Sequence, residues 1–407
     1  MTADALGVAA APRWTQPGTV AYSRISLALF AAGFATFSLL YCVQPLLPAF
    51  ARDFRVGPAE SSLALSLTTG FLALAILIAG AMSESLGRKT LMFGSICVAA
   101  LLNIAAGLAP DWRLLLVARG LEGVALGGVP AVAMAYLGEE IDPRGLGQAM
   151  GLYVAGNAFG GMVGRVSTGM IAGASSWREA LASVGAVDLV FALAFLLLLP
   201  ASRNFTRRPG LPLGFHLRAW RDHLANPALR RLFLIGFLVM GTFVTVYNYA
   251  GFRLEAAPYG LSQARASALF VVYLFGMTAS WAAGALADRL GRGAVLIAGS
   301  LVCLAGVALT LLTPLPGFVV GVIVLTIGFF MSHSVASGWV GRMAPQAKAH
   351  AASLYLLAYY LGSSLMGSAG GWFWARLGWS GVAGFAGAML AVALLAALRL
   401  RADRLAA

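Results

Sequence analysis

Charge is what this chain has least of. Only 11% of its 407 residues are Asp, Glu, Lys or Arg, against 60% hydrophobic, whereas soluble domains carry about a quarter charged and about half apolar residues. That balance excludes an ordinary soluble domain. Cysteine is nearly absent: Cys42, Cys97 and Cys303 stand singly within apolar runs, which excludes a disulfide framework and a paired-thiol metal site. There are four histidines, and no H-E-x-x-H, G-x-S-x-G or G-x-x-x-x-G-K-S/T pattern occurs, so metalloprotease, serine-hydrolase and P-loop chemistry have no residues to rest on. No cofactor, no metal and no enzyme activity are expected.

What the chain has instead is apolar runs near 20 residues long, the length that crosses a bilayer. Twelve are expected, at 25–50, 62–82, 90–109, 114–137, 148–173, 180–199, 232–252, 266–287, 294–313, 317–341, 351–374 and 380–398. The lipid bilayer is thus the first partner. Residues 1–23 carry Pro12 and Pro17 and no compact apolar core, so they read as a tail and not as a cleaved signal. Residues 201–231, with Pro209, Pro212, Pro227 and seven arginines, form a linker between six spans (24–200) and six more (232–399), with 400–407 as a second tail. Within the linker, Leu213 to Leu224 suits either a short amphipathic helix or a solvated loop.

The net charge of +13 does not call for nucleic acid, because the bases alternate by loop. Arg52, Arg55, Arg113, Arg178, Arg253, Arg265 and Arg376 fall on one side, Arg119 and Arg165 inside spans, and all other Lys and Arg on the opposite side. The positive-inside rule then puts both termini in the cytoplasm, and anionic lipid accounts for the surplus base.

Two copies of one loop lie half a chain apart: Gly80-Ala81-Met82-Ser83-Glu84-Ser85-Leu86-Gly87-Arg88-Lys89, and Gly284-Ala285-Leu286-Ala287-Asp288-Arg289-Leu290-Gly291-Arg292-Gly293. Pro143, Leu152-Tyr153, Gly160 and Trp177 also recur, 202 positions later, as Pro345, Leu354-Tyr355, Gly362 and Trp379. Because six spans is an even number, the halves run in the same direction, as a parallel repeat about an axis along the membrane normal.

With these residues the chain resembles the major facilitator superfamily across all twelve spans. That family's loop signature, G-x-L-A-D-R-x-G-R-K, is nearly complete from Gly284 to Arg292 and degraded in the first half, where Glu84 and Ser85 replace Asp and Arg. Its R-x-x-Q-G signature stands as Arg119-Gly120-Leu121-Glu122-Gly123. Its fifth-span antiporter motif stands as Gly147, Gly156, Gly160, Gly161, Gly164 and Arg165, with Gly161 in place of Pro and Arg165 in place of the last Gly. Gln44-Pro45-Leu46-Leu47-Pro48, Gly151-Leu152-Tyr153 and Ser332-His333-Ser334 resemble bacterial inner-membrane exporters of the acriflavine-sensitivity or arabinose-efflux-like branch.

The resemblance implies an all-α membrane protein of two six-helix bundles that presents one site alternately to each compartment, exporting small organic molecules in exchange for protons. Proton symport or facilitated uptake is the alternative carrier reading. A channel or membrane-embedded enzyme is the alternative from another class. A monomer suffices for the carrier.

Charge within a span costs roughly 2.5–3.5 kcal/mol on insertion scales, so Arg119, Glu122, Arg165 and Asp188 need partners or water. Arg119 and Glu122 share a helix face and suit either a titrating proton site or a static pair. Neither is repeated 202 residues on, where Gly321 and Val324 stand. Arg165 and Asp188, at similar depth on adjacent spans, are expected to neutralise one another. His333 is either a second proton site or a neutral hydrogen-bonding residue. Gln44, Tyr41, Asn157, Tyr247, Asn248, Tyr249 and Ser334 are the substrate-cavity candidates, although tyrosines also anchor spans at the headgroup level.

The glycines of the fifth span, with Gly362, Ser363, Ser364, Gly367, Gly370 and Gly371 of the eleventh, suit a tight interface between the two bundles. The loop residues Gly80, Glu84, Gly87, Arg88, Gly284, Asp288, Arg289, Gly291 and Arg292 are read as a conformational latch, with Asp288 facing the start of the fifth span and Glu84 that of the eleventh. A carboxylate at a helix N-terminus gains about 0.3–1 kcal/mol from the macrodipole.

Overall fold

The structure, a computed structural model, describes residues 14–205, 213–344 and 346–405, the side chains of residues 80, 81, 84, 85, 213 and 403–405 excepted. Pro345 of the repeat therefore lies outside the described residues. Among them there is no strand, only a lone bridge between Thr15 and Ile141.

Twelve spans follow one another. They are α1 (Val20–Tyr41, continued by Gln44–Leu46 and Leu47–Asp53), α2 (Leu63–Leu86), α3 (Arg88–Gly107), α4 (Trp112–Leu126 and Pro130–Glu140), α5 (Pro143–Ala174) and α6 (Trp177–Leu198). After the linker come α7 (Pro227–Glu255), α8 (Gln263–Ser267, Ala268–Val272 and Tyr273–Leu290), α9 (Arg292–Leu309) and α10 (Leu315–Met343). The continuous stretch Lys348–Leu405 holds the last two spans, broken at Gly378, where φ is 58° and ψ −143°. They are α11 (348–377) and α12 (379–405). By length and hydropathy ten stretches qualify as membrane spans, the last of them doubled by that break. The one that falls short is α5, whose glycines and Arg144 and Arg165 dilute its apolar content. Large apolar side chains such as Trp281, Leu108, Val190 and Leu197 are exposed around the outside, as lipid-facing surface requires.

Local chemistry sets the breaks. Pro45 and Pro48 lack the N–H that would continue α1, so the helix tightens into a 3-10 turn at Gln44–Leu46 before resuming. In α4, Pro130 and the preceding glycine pair do the same: Gly127 packs on Ala75 and Gly128 on Ser95, where a side chain would collide. The repeated loop keeps one backbone shape in both halves, with Gly87 at φ 90° and ψ 143° and Gly291 at φ 84° and ψ 146°. Only glycine adopts that conformation without strain.

Both halves pack alike. The backbone of α5 sits on α1, with Gly156, Gly160 and Gly164 against Phe30, Phe34 and Ser38. In the second half α11 sits on α7, with Gly362 against the Phe237 carbonyl. The expectation that these glycines line the seam between bundles is therefore corrected. Small-residue periodicity marks a close approach but not its partner, and here most of the contacts join helices within one bundle. Gly169 and Gly173, against Ser267 and Ala264, and Gly371, against Ala59, do cross the seam. The linker contains a helix, Leu213–Ala225, where the sequence allowed one. It docks on the start of α11, with His216 Nδ1 2.9 Å from His350 Nε2 and His223 Nε2 3.2 Å from the Ala347 carbonyl.

Among the described residues, the hydrogen bonds between bundles lie in the half of the molecule remote from the linker. Hydrogen bonds across the seam run from Ser364 Oγ to the Ser66 carbonyl (2.7 Å), Ser368 Oγ to Ser66 Oγ (2.7 Å), Ser62 Oγ to Ser368 Oγ (3.1 Å) and Gln44 Nε2 to Asn248 Oδ1 (2.8 Å). At the far rim Arg52 pairs with Glu255 at 2.7 Å. Each of these residues lies in the half of its span away from the linker, Ser364 close to the middle.

Candidate functional site

Two buried arginines organise the first bundle. Arg119 lies where α1 breaks, and its side chain is 0% exposed. It donates from Nη1 to the Leu39 carbonyl (3.2 Å) and from Nη2 to the Leu40 carbonyl (3.0 Å), both next to the break. It also donates from Nε to the Ala64 carbonyl (3.0 Å), and from Nη1 to Asn103 Oδ1 (3.2 Å) and Glu122 Oε2 (2.6 Å). Asn103 in turn donates to the Leu181 carbonyl at 2.7 Å. One guanidinium thus ties α1, α2, α3 and α4 together, and through Asn103 reaches α6. The ion pair anticipated from the three-residue spacing is present, but it is one bond among five.

Glu122 keeps its other oxygen, Oε1, buried and without a partner. Asp188 on α6, also 0% exposed, has neither oxygen in a hydrogen bond of normal geometry, although Ser38 and Glu122 are its polar neighbours. The expected Arg165–Asp188 pair does not form. No ion pair within 4.0 Å joins them, because Arg165 points to the other side of α1. Similar depth on neighbouring helices fixes height, not azimuth, and the azimuths diverge.

Arg165, 2% exposed, faces the seam instead. Its Nε donates to Gln44 Oε1 (2.6 Å) and its Nη1 to the Gly161 carbonyl (2.7 Å). Its Cζ stands 4.0 Å from the Tyr41 ring centroid, 4.8 Å from that of Tyr273 and 5.4 Å from that of Phe270. Gln44 passes the chain of bonds to Asn248 of α7, whose Nδ2 lies 3.5 Å from the Gly367 carbonyl. Tyr41, Gln44, Arg165 and Asn248 therefore belong to one assembly spanning both bundles. Tyr273 and Phe270 complete it; sequence reading missed both, since within an apolar run nothing distinguishes an aromatic that meets a cation from one that meets lipid.

Other candidates fall nearby or elsewhere. Tyr247 is buried, with its hydroxyl 2.7 Å from Thr326 Oγ1 and its ring 5.4 Å from that of Tyr273. His333 bonds through Nδ1 to the Tyr355 hydroxyl (3.0 Å), and its ring stands 4.5 Å from that of Tyr359. His333, Tyr355 and Tyr359, with Phe329 and Ser332, line one narrow pocket of the second bundle. Asn157 on α5 is half-buried with its Oδ1 unpartnered. Tyr249 is bound to the Gly367 and Ser368 carbonyls, a packing position between α7 and α11. Ser334 donates to the Ser280 carbonyl at 3.4 Å, within the second bundle.

The loop residues hold neighbours of their own half. Asp288, 71% exposed, lies 3.5 Å from Arg292 across the turn at Gly291. Arg88 pairs with Glu139 at 2.7 Å and also bonds Ser83. The side chains of Gly80's loop partner Glu84 and of Ser85 lie outside the described residues. Gly284 has open space around it, and Arg289 has no ion pair within 4.0 Å among the described residues.

Comparison with known proteins agrees with this geometry. The sequence profile described as Major Facilitator Superfamily matches residues 29–366 and 256–406. The chain is 44% identical over 381 residues to the uncharacterized MFS-type transporter YybF of Bacillus subtilis (strain 168), covering 94% of each. It is 43% identical over 387 residues to the inner membrane transport protein YnfM of Escherichia coli (strain K12), covering 94% of this chain and 92% of that one. Among solved structures, the nucleoside transporter NupG, in a mutant form, superposes with a TM-score of 0.75 at 14% identity over 93% of this chain and 99% of that one. A bacterial homolog of the human lysosomal transporter Spinster, in an inward-facing and unoccupied conformation, gives a TM-score of 0.70 at 15% identity over 93% and 95%. The fold, the length of the match and the doubled loop agree: the chain is a transporter of the major facilitator superfamily.

Proposed function

We propose that the protein exports small organic molecules from a bacterial cytoplasm in exchange for protons, its two bundles rocking about a shared site. The observation that carries this reading is the one-sided closure of the seam. Among the described residues, the bonds seen between bundles lie in the half remote from the linker, which the loop charges assign to the outside, and this supports a site that loads from the cytoplasm. Both termini are then cytoplasmic, in the inner membrane.

Protons need a group that can hold and release them within the span, and ionisable residues there mark such pathways. Glu122 and Asp188 meet the requirement, each buried with at least one oxygen outside any hydrogen bond, and Arg119 holds the other oxygen of Glu122. His333 is a further proton site on the second bundle. The loop acids act in the opposite state, when the linker side closes: Asp288, free of cross-bundle bonds here, then meets the N-terminus of α5 and holds that side shut.

The test is flux in proteoliposomes against a panel of dyes, sugars and organic acids. An imposed pH gradient, acid on the side opposite the cargo, is expected to accelerate its movement, and Glu122→Gln to remove that acceleration while leaving cargo exchange intact. Flux indifferent to the gradient for every member of the panel would end the antiport reading. For the latch, Asp288→Asn is expected to enrich the state open toward the linker, read by spin-label distances across that side.

A further inference from the structure

Arg165 poses a problem that the rest of the fold does not answer. A guanidinium is permanently charged, this one is 2% exposed, and among the described residues no carboxylate stands within 4.0 Å of it. All its partners are neutral: the Gln44 amide oxygen, the Gly161 carbonyl and the faces of Tyr41, Tyr273 and Phe270. Among the described residues its Nη2 makes no hydrogen bond, only Nε and Nη1 being used. Arg119, by contrast, is saturated by four carbonyl groups and a carboxylate. A buried, oriented fork with an unused donor edge is a receptor for an anion, because paired N–H groups match the two oxygens of a carboxylate.

We infer that the cargo is an organic acid whose carboxylate binds Arg165 and whose apolar body lies among the aromatic rings of the seam. The inference rests on the transport reading above and names the class of cargo for that site. The surroundings fit such a molecule. The rings that hold the guanidinium by cation–π contact come from both bundles, Tyr41 from α1, and Phe270 and Tyr273 from α8. Tyr247 stacks 5.5 Å from Phe270 and extends the apolar wall. The charge is also linked to the moving parts. Gln44 holds Arg165 with its oxygen and Asn248 of the other bundle with its amide nitrogen. An anion competing for the guanidinium would weaken the Gln44–Arg165 bond and so reset the tie between bundles. Binding of cargo thereby biases the state of the seam.

The experiment is binding to purified full-length protein in detergent, with no gradient imposed. Thermal stabilisation and competition are measured for three matched pairs: benzoate and benzamide, salicylate and salicylamide, hexanoate and hexanamide. At least one acid is expected to stabilise the protein with at least tenfold higher affinity than its amide. Arg165→Gln is expected to abolish that preference. Gln44→Glu, which places an internal carboxylate on the guanidinium while leaving Arg165 in position, is expected to abolish it too, and this second variant decides the matter if the first fails to fold. No binding by any acid, equal binding of acid and amide, or an acid preference that survives in Gln44→Glu would overturn the inference. Acid binding without pH-driven flux would leave the inference standing and remove the proton coupling. Flux of a neutral or cationic dye driven by pH, with no acid binding, would do the reverse.

Discussion

The two bundles share a fold and differ in what they bury. Trp177 and Trp379, Gly87 and Gly291, and Gly160 and Gly362 occupy matching places in the two halves. Yet the positions 202 residues after Arg119, Glu122, Arg165 and Asp188 are Gly321, Val324, Gly367 and Leu390. The second bundle builds the same architecture with no buried counterpart to any of the four. The second half reaches the same fold without such charges, so buried charge confined to the first half marks ties and work particular to that bundle.

The comparison can be tested where it is strongest. Replacing Arg119 by Leu leaves Glu122 unpaired and two carbonyls at the α1 break unserved. A loss of about 3–5 kcal/mol is expected, the range for breaking a buried pair on one side, read as a fall in melting temperature in detergent. An unchanged melting point would mean that the break does not depend on the guanidinium. Next come the matched glycines. Gly160→Val and Gly362→Val each push a side chain into a carbonyl of the facing helix, and each is expected to cost about 1–3 kcal/mol, as overpacking does. Similar losses at both sites would support the shared scaffold, and a large asymmetry would break it.

Asp188→Asn sharpens the other side of the comparison. Since the neighbouring Ser38 hydroxyl can donate to an amide oxygen as to a carboxylate, the melting temperature should stay near that of the parent. The pH-driven flux should fall at least about tenfold, equivalent to about 1.4 kcal/mol. A destabilised variant with normal coupling would return Asp188 to a structural role. The smallest effect is expected at Asp142, which caps α5 by accepting the Arg144 backbone N–H at 2.9 Å and also holds Gln16 at 2.9 Å. The Arg144 amide holds its carboxyl below the usual carboxylate value. The stabilisation is thus present at neutral pH and lost as pH falls through that lowered value. Asp142→Ala should slightly lower the melting temperature at pH 7, and the difference from the parent should vanish in acid.

Much of this was legible in the residues. Periodic loops, apolar runs and the loop glycines gave twelve spans and a doubled architecture, including α5, which hydropathy alone passes over. The linker helix also stands where amphipathicity allowed it. What did not follow was the pairing of side chains between spans. Arg165 and Asp188 have the depth for a pair, but depth along a helix says nothing of rotation about it. Pro45 and Pro48 announce the break in α1, yet nothing local to them shows that Arg119, some 75 residues away, fills it. The glycine stripe of α5 promised a close approach and left its partner unnamed.

The serines of the outer seam carry a last consequence. Ser62, Ser66, Ser364 and Ser368 hold the two halves by hydroxyls, and water can replace such bonds one at a time as the surfaces part, at nearly equal enthalpy. A gate stitched this way opens by gradual wetting, without stranding a bare charge in a dry gap. Its movement should be smooth and largely indifferent to ionic strength, except at the Arg52–Glu255 clasp on the rim, the one ion pair across the seam among the described residues.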